Sequence, residues 1–429
     1  MSGSPRTRAV RTRPLDLLAS GRVSGGAGPA LLEQAIVCRD RYELPAALEL
    51  ALDAVETIKA GEGRVSPSLI PALIVLTSIL QARFSLDEAE SISRDAVAIA
   101  EELSADPEFA VLRLRAVESL AATYRLQGRY TEAEDVLRRA IAEAEKHLGA
   151  EAVPIADLVN GLAMTFKYSG RFAEAEDLYR RALAIAERAY GEESSAVASI
   201  YHNLGGLEHA RGDYWAAEPL ARRSVDLRER ASDANEVEVA ADKAALAAIL
   251  DGLGGDEEAE SLLRDALDVF QRVYGDRHYE LAVNLNNLAA ILHKRGTFAE
   301  AESLYRRALS IKEELLGADH PELASTLNNI AVLYRVQERY AEAEPLYRRA
   351  LELLERALHP SHPNLIACLQ NYAAVLRLIG RGAEADRFEA RPEPGPHQAR
   401  HELLEATRPN ISAFRHLPAG SPDSRPSRA

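Results

Sequence analysis

The sequence predicts an all-α protein: a right-handed superhelical solenoid of antiparallel helix pairs. Three observations lead there. The block Gly-Thr-Phe-Ala-Glu-Ala-Glu-Ser-Leu-Tyr-Arg-Arg-Ala-Leu at 296–309 recurs every 42 residues, and the alanine after its first glutamate returns as Ala133, Ala175, Ala217, Ala259, Ala301, Ala343 and Ala385. Looser copies stand at Ala47 and Ala89, with one step of 44 before Ala133. Each period holds two runs with apolar residues at helical spacing, and most periods place a glycine between them. Units of this kind bury their apolar faces only by stacking on their neighbours.

The unit at 319–358 shows how each element arises. Asp319 is a helix-capping residue, and Pro321 falls in a first turn, where a missing N–H costs nothing. From Leu323 to Arg335, residues Leu327, Ile330, Ala331 and Tyr334 form one apolar stripe. Gln337-Glu338-Arg339 makes the turn, where other repeats carry Gly128, Gly170, Gly212, Gly254, Gly296 and Gly380. A second helix follows from about Ala341 to Leu358, with Ala343, Leu346, Tyr347, Ala350, Leu351 and Leu354 inward. Its outer face pairs Glu344 with Arg348, and the pair recurs as Glu134/Arg138, Glu176/Arg180, Glu218/Arg222, Glu260/Arg264 and Glu302/Arg306. Each pair contributes only ~0.2–0.5 kcal/mol, so this reads as a solvated face that aids solubility.

These residues resemble the tetratricopeptide repeat. Ala301, Tyr305 and Ala308 match its second-helix signature, and Leu288, Ala289 and Leu292 its first. The ordinary repeat is about 34 residues long, so this one has room for about two more turns. Leu-Gly-Ala-Asp-His-Pro-Glu-Leu-Ala (316–324) and Leu-Asn-Asn-Ile-Ala-Val-Leu-Tyr (327–334) are similar to kinesin-light-chain repeats. The resemblance is close over 115–390 and looser over 30–114. Kinesin light chains carry heptads before their repeats; residues 1–40 have none, so the likeness lies in the scaffold.

Residues 1–29 are rich in Arg, Ser, Gly and Pro and read as a disordered basic segment; 391–429, with seven prolines, read as a disordered tail. The net charge is −15. With +4 at 1–29 and +2 at 391–429, the array between them is −21. Such acidity argues against nucleic-acid binding. No apolar run is long enough to span a membrane and no secretory signal is legible. Cys38 and Cys368 fit no ligand or redox spacing and suggest a reducing compartment, hence a cytoplasmic location.

The first helix of each repeat has a face opposite its core stripe, and in tetratricopeptide proteins that face lines a concave groove. Two columns mark it. Asn203, Asn287, Asn329 and Asn371 occupy one equivalent position, with Asn286, Asn328 and Gln370 one residue earlier. Asparagine donates and accepts, so a ladder of amides suits an extended peptide backbone, a use the family resemblance implies. The same ladder would equally suit bonding between neighbouring helices, and both readings stay open. Six residues on, the second column reads Arg125, Lys167, His209, Asp251, His293, Arg335 and Arg377, with Arg39 upstream. Cations beside amides suit acidic side chains or a C-terminus; the alternative is a charged face with no partner. Asp251 breaks the column in the most divergent repeat, 241–255, where Ala244, Ala245 and Ala248 replace amides.

His278, His320 and His362 also stand 42 apart, at the start of a first helix, which reads Asp-His-Pro around His320. Helix pairs sit ~8–10 Å apart, too far for shared ligation of zinc. No metal or cofactor is expected. No phosphate loop, nucleophile elbow or zinc-protease motif is present. Trp215 reads first as packed on the preceding turn and second as an exposed anchor. The function that follows is non-catalytic binding of a protein or peptide in the groove, as a scaffold or adaptor. Alternatives are an accessory protein or enzyme with a site in the groove, where His209 and His293 stand out, and a peptide-sensing regulator.

Overall fold

Apolar residues three and four apart, interrupted by turn residues, build every described element as an α-helix. The computed structural model describes residues 27–103, 109–231, 234–357 and 363–389. The expectations for the outer parts of both ends lie outside these residues. Of the described residues, 27–200 belong to one compact unit and 201–389 to a second.

The first unit contains α1 (Ala27–Asp40), α2 (Leu44–Glu62), α3 (Leu69–Ala82), α4 (Leu86–Glu102), α5 (Ala110–Leu126), α6 (Tyr130–Leu148), α7 (Val153–Tyr168) and α8 (Phe172–Tyr190). The division falls inside α9 (Ser195–Arg211). The second unit continues with α10 (Tyr214–Arg230), α11 (Glu236–Leu253), α12 (Asp256–Tyr274), α13 (Tyr279–Lys294), α14 (Phe298–Leu316), α15 (Leu323–Val336), α16 (Tyr340–Ala357), α17 (Pro363–Leu378) and α18 (Gly382–Glu389). Odd-numbered helices are the first of each pair and even-numbered helices the second.

The repeated alanines are the closest contacts. Ala47, Ala89, Ala133, Ala175, Ala217, Ala259, Ala301, Ala343 and Ala385 are all fully buried. A methyl group there lets helices approach closely, while Tyr179, Tyr305 and Tyr347 fill the space one turn on. Between the helices of each pair one residue adopts a left-handed backbone. It is glycine in six pairs, but Tyr42, Phe84 and Glu338 take φ near 60° in the others. At Glu338 the side chain is tolerated in a conformation that costs L-residues roughly 1–2 kcal/mol.

Helix starts differ from expectation at Asp319. The donor it was expected to satisfy is taken by its neighbour: His320 Nδ1 accepts from the Glu322 N–H at 3.2 Å, while Asp319 faces Arg356 at 3.5 Å. His278 caps α13 in the same way, through the Glu280 N–H.

The outer Glu/Arg pairs form as expected, but they are more than a solvated face. Glu134 accepts from Arg138 of its own helix (2.7 Å) and from Arg171 of the next repeat (2.5 Å). Glu302 likewise holds Arg306 (2.9 Å) and Arg339 (2.7 Å), and Glu344 holds Arg348 (2.6 Å) and Arg381 (2.5 Å). Arg129, Arg171 and Arg339 also lie over the rings of Tyr124, Phe166 and Tyr334, at 4.6, 3.9 and 4.0 Å from the centroids. The carboxylate therefore ties one repeat to the next through a stacked guanidinium. Where that arginine is replaced by Gly255 and Thr297, Arg222 and Arg264 reach forward instead, to Glu258 (2.7 Å) and Glu300 (2.8 Å).

Candidate functional site

In the first unit, spacings of three and then seven along a helix put Arg115, Glu118 and Arg125 of α5 on one face, and Asp157, Asn160 and Lys167 of α7 on its counterpart. Arg125 is buried: Nη1 donates to the Gly161 carbonyl at 3.4 Å, and among the described residues Nε finds no acceptor. Lys167 is half-buried beside the Tyr168 ring, and desolvation pushes its ammonium down to about 8. Glu118 is pushed up to about 7, by desolvation first and by the charge of Asp157 second, against the pull of Arg125 and Arg115. Arg39, the upstream candidate, pairs with Asp40 at 2.7 Å and donates to Ser78 Oγ at 3.1 Å.

In the second unit the amides turn inward. Asn287 and Asn329 are 0% exposed, Asn371 is buried, and Asn203 is half-buried. Asn329 Nδ2 donates to Asn286 Oδ1 at 3.3 Å, and Asn371 Nδ2 to Asn328 Oδ1 at 3.1 Å. These bonds run from one first helix to the next, so the amide column links repeats in the geometry of the helix-to-helix reading.

The neighbouring column varies along its length. His209 meets Tyr214 edge-on at 5.3 Å. Asp251 accepts from Lys294 at 3.0 Å. His293 is buried against Phe298 at 5.9 Å, and burial, helped by the charge of Arg335, pushes it down to about 4. It is neutral near pH 7. Arg335 is half-buried, while Arg377 is exposed and donates to Asp386 Oδ1 at 3.0 Å. The positions just after this column include exposed apolar side chains: Leu126 and Tyr168 in the first unit, Val336 and Leu378 in the second.

Sequence reasoning did not single out the charged core of the α9–α11 region. Asp242 and Arg228 have fully buried side chains. Asp242 Oδ2 accepts from Arg228 Nε (3.0 Å) and Ser224 Oγ (2.8 Å), Oδ1 lies 2.8 Å from His202 Nδ1, and Arg228 Nη1 donates to Glu238 at 2.7 Å. Burial alone would raise the Asp242 carboxyl, but His202 and Arg228 outweigh it and hold it below the ordinary aspartate range. A signal was available. Equivalent positions carry Ala144, Ala186, Phe270, Lys312 and Leu354 against Arg228, and Leu158, Ile200, Asn284, Thr326 and Cys368 against Asp242, so among these repeats opposite charges fall together here. Opposite charges at two inward positions of one repeat imply a buried pair.

Trp215 is 78% exposed, which overturns the packed reading. Its neighbour Tyr214 packs instead, so closely on Gly252 that a Cβ there would lie 2.5 Å from the ring. His278 and His320 serve as helix-start acceptors; His362 lies outside the described residues. Among the described residues no three His, Cys, Asp or Glu side chains gather as a metal would require. No described helix is long and apolar enough to cross a membrane.

The tetratricopeptide repeat family profile matches residues 112–187, 153–230, 239–314, 281–356 and 322–391, together more than half the chain. No curated protein sequence matches. Solved structures do. A Rap protein complexed with competence and sporulation factor is 14% identical (TM-score 0.52, 84% of this chain and 95% of that one). The apo quorum sensor NprR from B. thuringiensis is 15% identical (TM-score 0.51, 84% and 96%). BtubC (BKLC) from P. vanneervenii is 25% identical (TM-score 0.42, 58% and 93%).

Proposed function

The chain belongs to the tetratricopeptide repeat family, and on that footing we propose that it is a non-catalytic scaffold or adaptor that binds a protein or peptide along its first helices. One observation supports this above others. In an array of net charge −21, cations recur at the ends of the first helices, beside exposed apolar side chains such as Tyr168 and Leu378. Carboxylates, from acidic side chains or a C-terminus, are the complement of such a column.

Within each unit the roles divide by exposure. Lys167, His209, Arg335, Arg377 and Asn203 reach the partner. Arg125, His293, Asn287, Asn329 and Asn371, all buried, set the spacing at which the others are presented. A second reading, a peptide-sensing regulator, draws on the fold shared with the Rap protein and NprR.

The test is retention of a binding partner from host extract by the wild type and by the triple variant Lys167→Glu, Arg335→Glu, Arg377→Glu, with helicity checked by circular dichroism. A partner held by the wild type and lost from the folded variant is the expected result. Equal retention by both would rule the cationic column out.

A further inference from the structure

Two sibling repeats use an arginine in the same way. Arg181, on α8, donates to Glu145 Oε1 at 2.5 Å and to the Ala150 carbonyl at 3.0 Å. Arg349, on α16, donates to Glu313 Oε1 at 2.6 Å and to the Ala318 carbonyl at 2.8 Å. In both cases the guanidinium closes the gap between a glutamate near the end of the preceding second helix and the loop that follows it.

The 42-residue register puts Glu229, Ala234 and residue 265 at these same three places. Residues 139, 181, 223, 307 and 349 are arginine, but residue 265 is Asp265. The acceptors remain while the donor is replaced by a carboxylate. A cleft of about 280 Å³ lies there, with Glu229, Glu236 and Asp265 at its sides and Val239, Ala240 and Val269 as its apolar surface. The helix end contributes too: α10 stops at Arg230, two residues before the register of α8 and α12, and Ala231 is extended (φ −60°, ψ 139°).

Nearby cations account for part of the charge. Lys243 pairs with Glu229 at 2.9 Å and Arg272 with Glu236 at 2.8 Å. Asp265 has no cation partner among the described residues, so the cleft keeps one uncompensated carboxylate.

We propose that this cleft is a guanidinium-binding site that receives an arginine side chain of a partner protein, in the place where sibling repeats hold their own. The guanidinium would meet Asp265 and the Ala234 carbonyl, with planar geometry suited to both. Its aliphatic stem would lie on Val239 and Val269. The site lies between the second helices α10 and α12 and the start of the first helix α11, away from the column at the far ends of the first helices.

The test is methyl NMR of the full chain, read at Val239 and Val269 during titration with N-acetyl-arginine-N-methylamide, with the citrulline analogue as neutral control. Saturable shifts with the arginine probe alone are expected. Asp265→Asn should weaken binding roughly tenfold, the loss of one charge-assisted contact. Asp265→Arg should rebuild the clamp of Arg181 and Arg349, abolish probe binding and raise the Tm. Absence of saturable shifts in the wild type, equal shifts with citrulline, or shifts that survive Asp265→Arg would each overturn the proposal. So would a wild-type spectrum indifferent to the probe but altered at Val239 and Val269 when Arg6, Arg8, Arg11, Arg13 and Arg22 are changed to glutamine, because the chain's own arginines would then fill the cleft.

Discussion

Replacing Asp242 by leucine should cost more stability than almost any other single change in the second unit. The side chain is fully buried, and its two oxygens meet Arg228, Ser224 and His202 at 2.8–3.0 Å. Without it, the Arg228 Nε loses its carboxylate, although Nη1 still meets Glu238 at 2.7 Å. Breaking a buried pair from one side costs about 3–5 kcal/mol, because the remaining charge is stranded. The double variant Arg228→Leu, Asp242→Leu should recover most of that loss. Sibling repeats carry Leu354 and Leu158 at these positions, and exchange of a buried pair for apolar residues is often neutral. Urea unfolding followed by circular dichroism measures the total, and hydrogen exchange over α10 and α11 reports local opening of the array. The pH dependence has a definite sign. A carboxyl held low in the folded state contributes stability above its unfolded value, near 3.8, and loses it as pH falls below that. The leucine variant should lack this acid-sensitive part. A single-variant loss below about 1 kcal/mol, or a double variant as unstable as the two singles summed, would refute a buried, mutually compensating pair.

Three further outcomes follow from individual geometries. Glu338→Gly should stabilise the chain by about 1 kcal/mol, because it relieves a left-handed residue that six siblings fill with glycine; an unchanged urea midpoint would contradict this. Gly252→Ala should destabilise by about 1–2 kcal/mol, since the new methyl would lie 2.5 Å from Tyr214, a clash that exceeds the gain in helix propensity. His293, pushed down to about 4 from an ordinary 6.5, should show no imidazole titration by NMR above pH 5. The unfolded chain takes up that proton first, so stability should fall by up to about 3 kcal/mol as pH drops from 6.5 to 4, and His293→Leu should flatten that window.

The repeat itself was legible because it is a local matter. A 42-residue period, alanine where helices touch and glycine where they turn determine helix pairs without reference to anything distant. The ten candidate site residues were also found by register alone, since equivalent positions on equivalent helices face the same way. Their environments were not legible. Whether Asn329 offers its amide to solvent or to Asn286 depends on the distance between first helices of adjacent repeats, which no one repeat encodes. Likewise Glu134 reads as half of an i, i+4 pair, and only stacking brings Arg171 within 2.5 Å of it. Asp265 breaks the Arg-Arg doublet in the sequence, yet the cleft beside it exists because α10 ends early and Lys243 turns to Glu229. Periodicity determined which residues are equivalent. Burial, charge compensation and close approach, which depend on neighbours from the adjoining helix or the next repeat, were decided by tertiary packing alone.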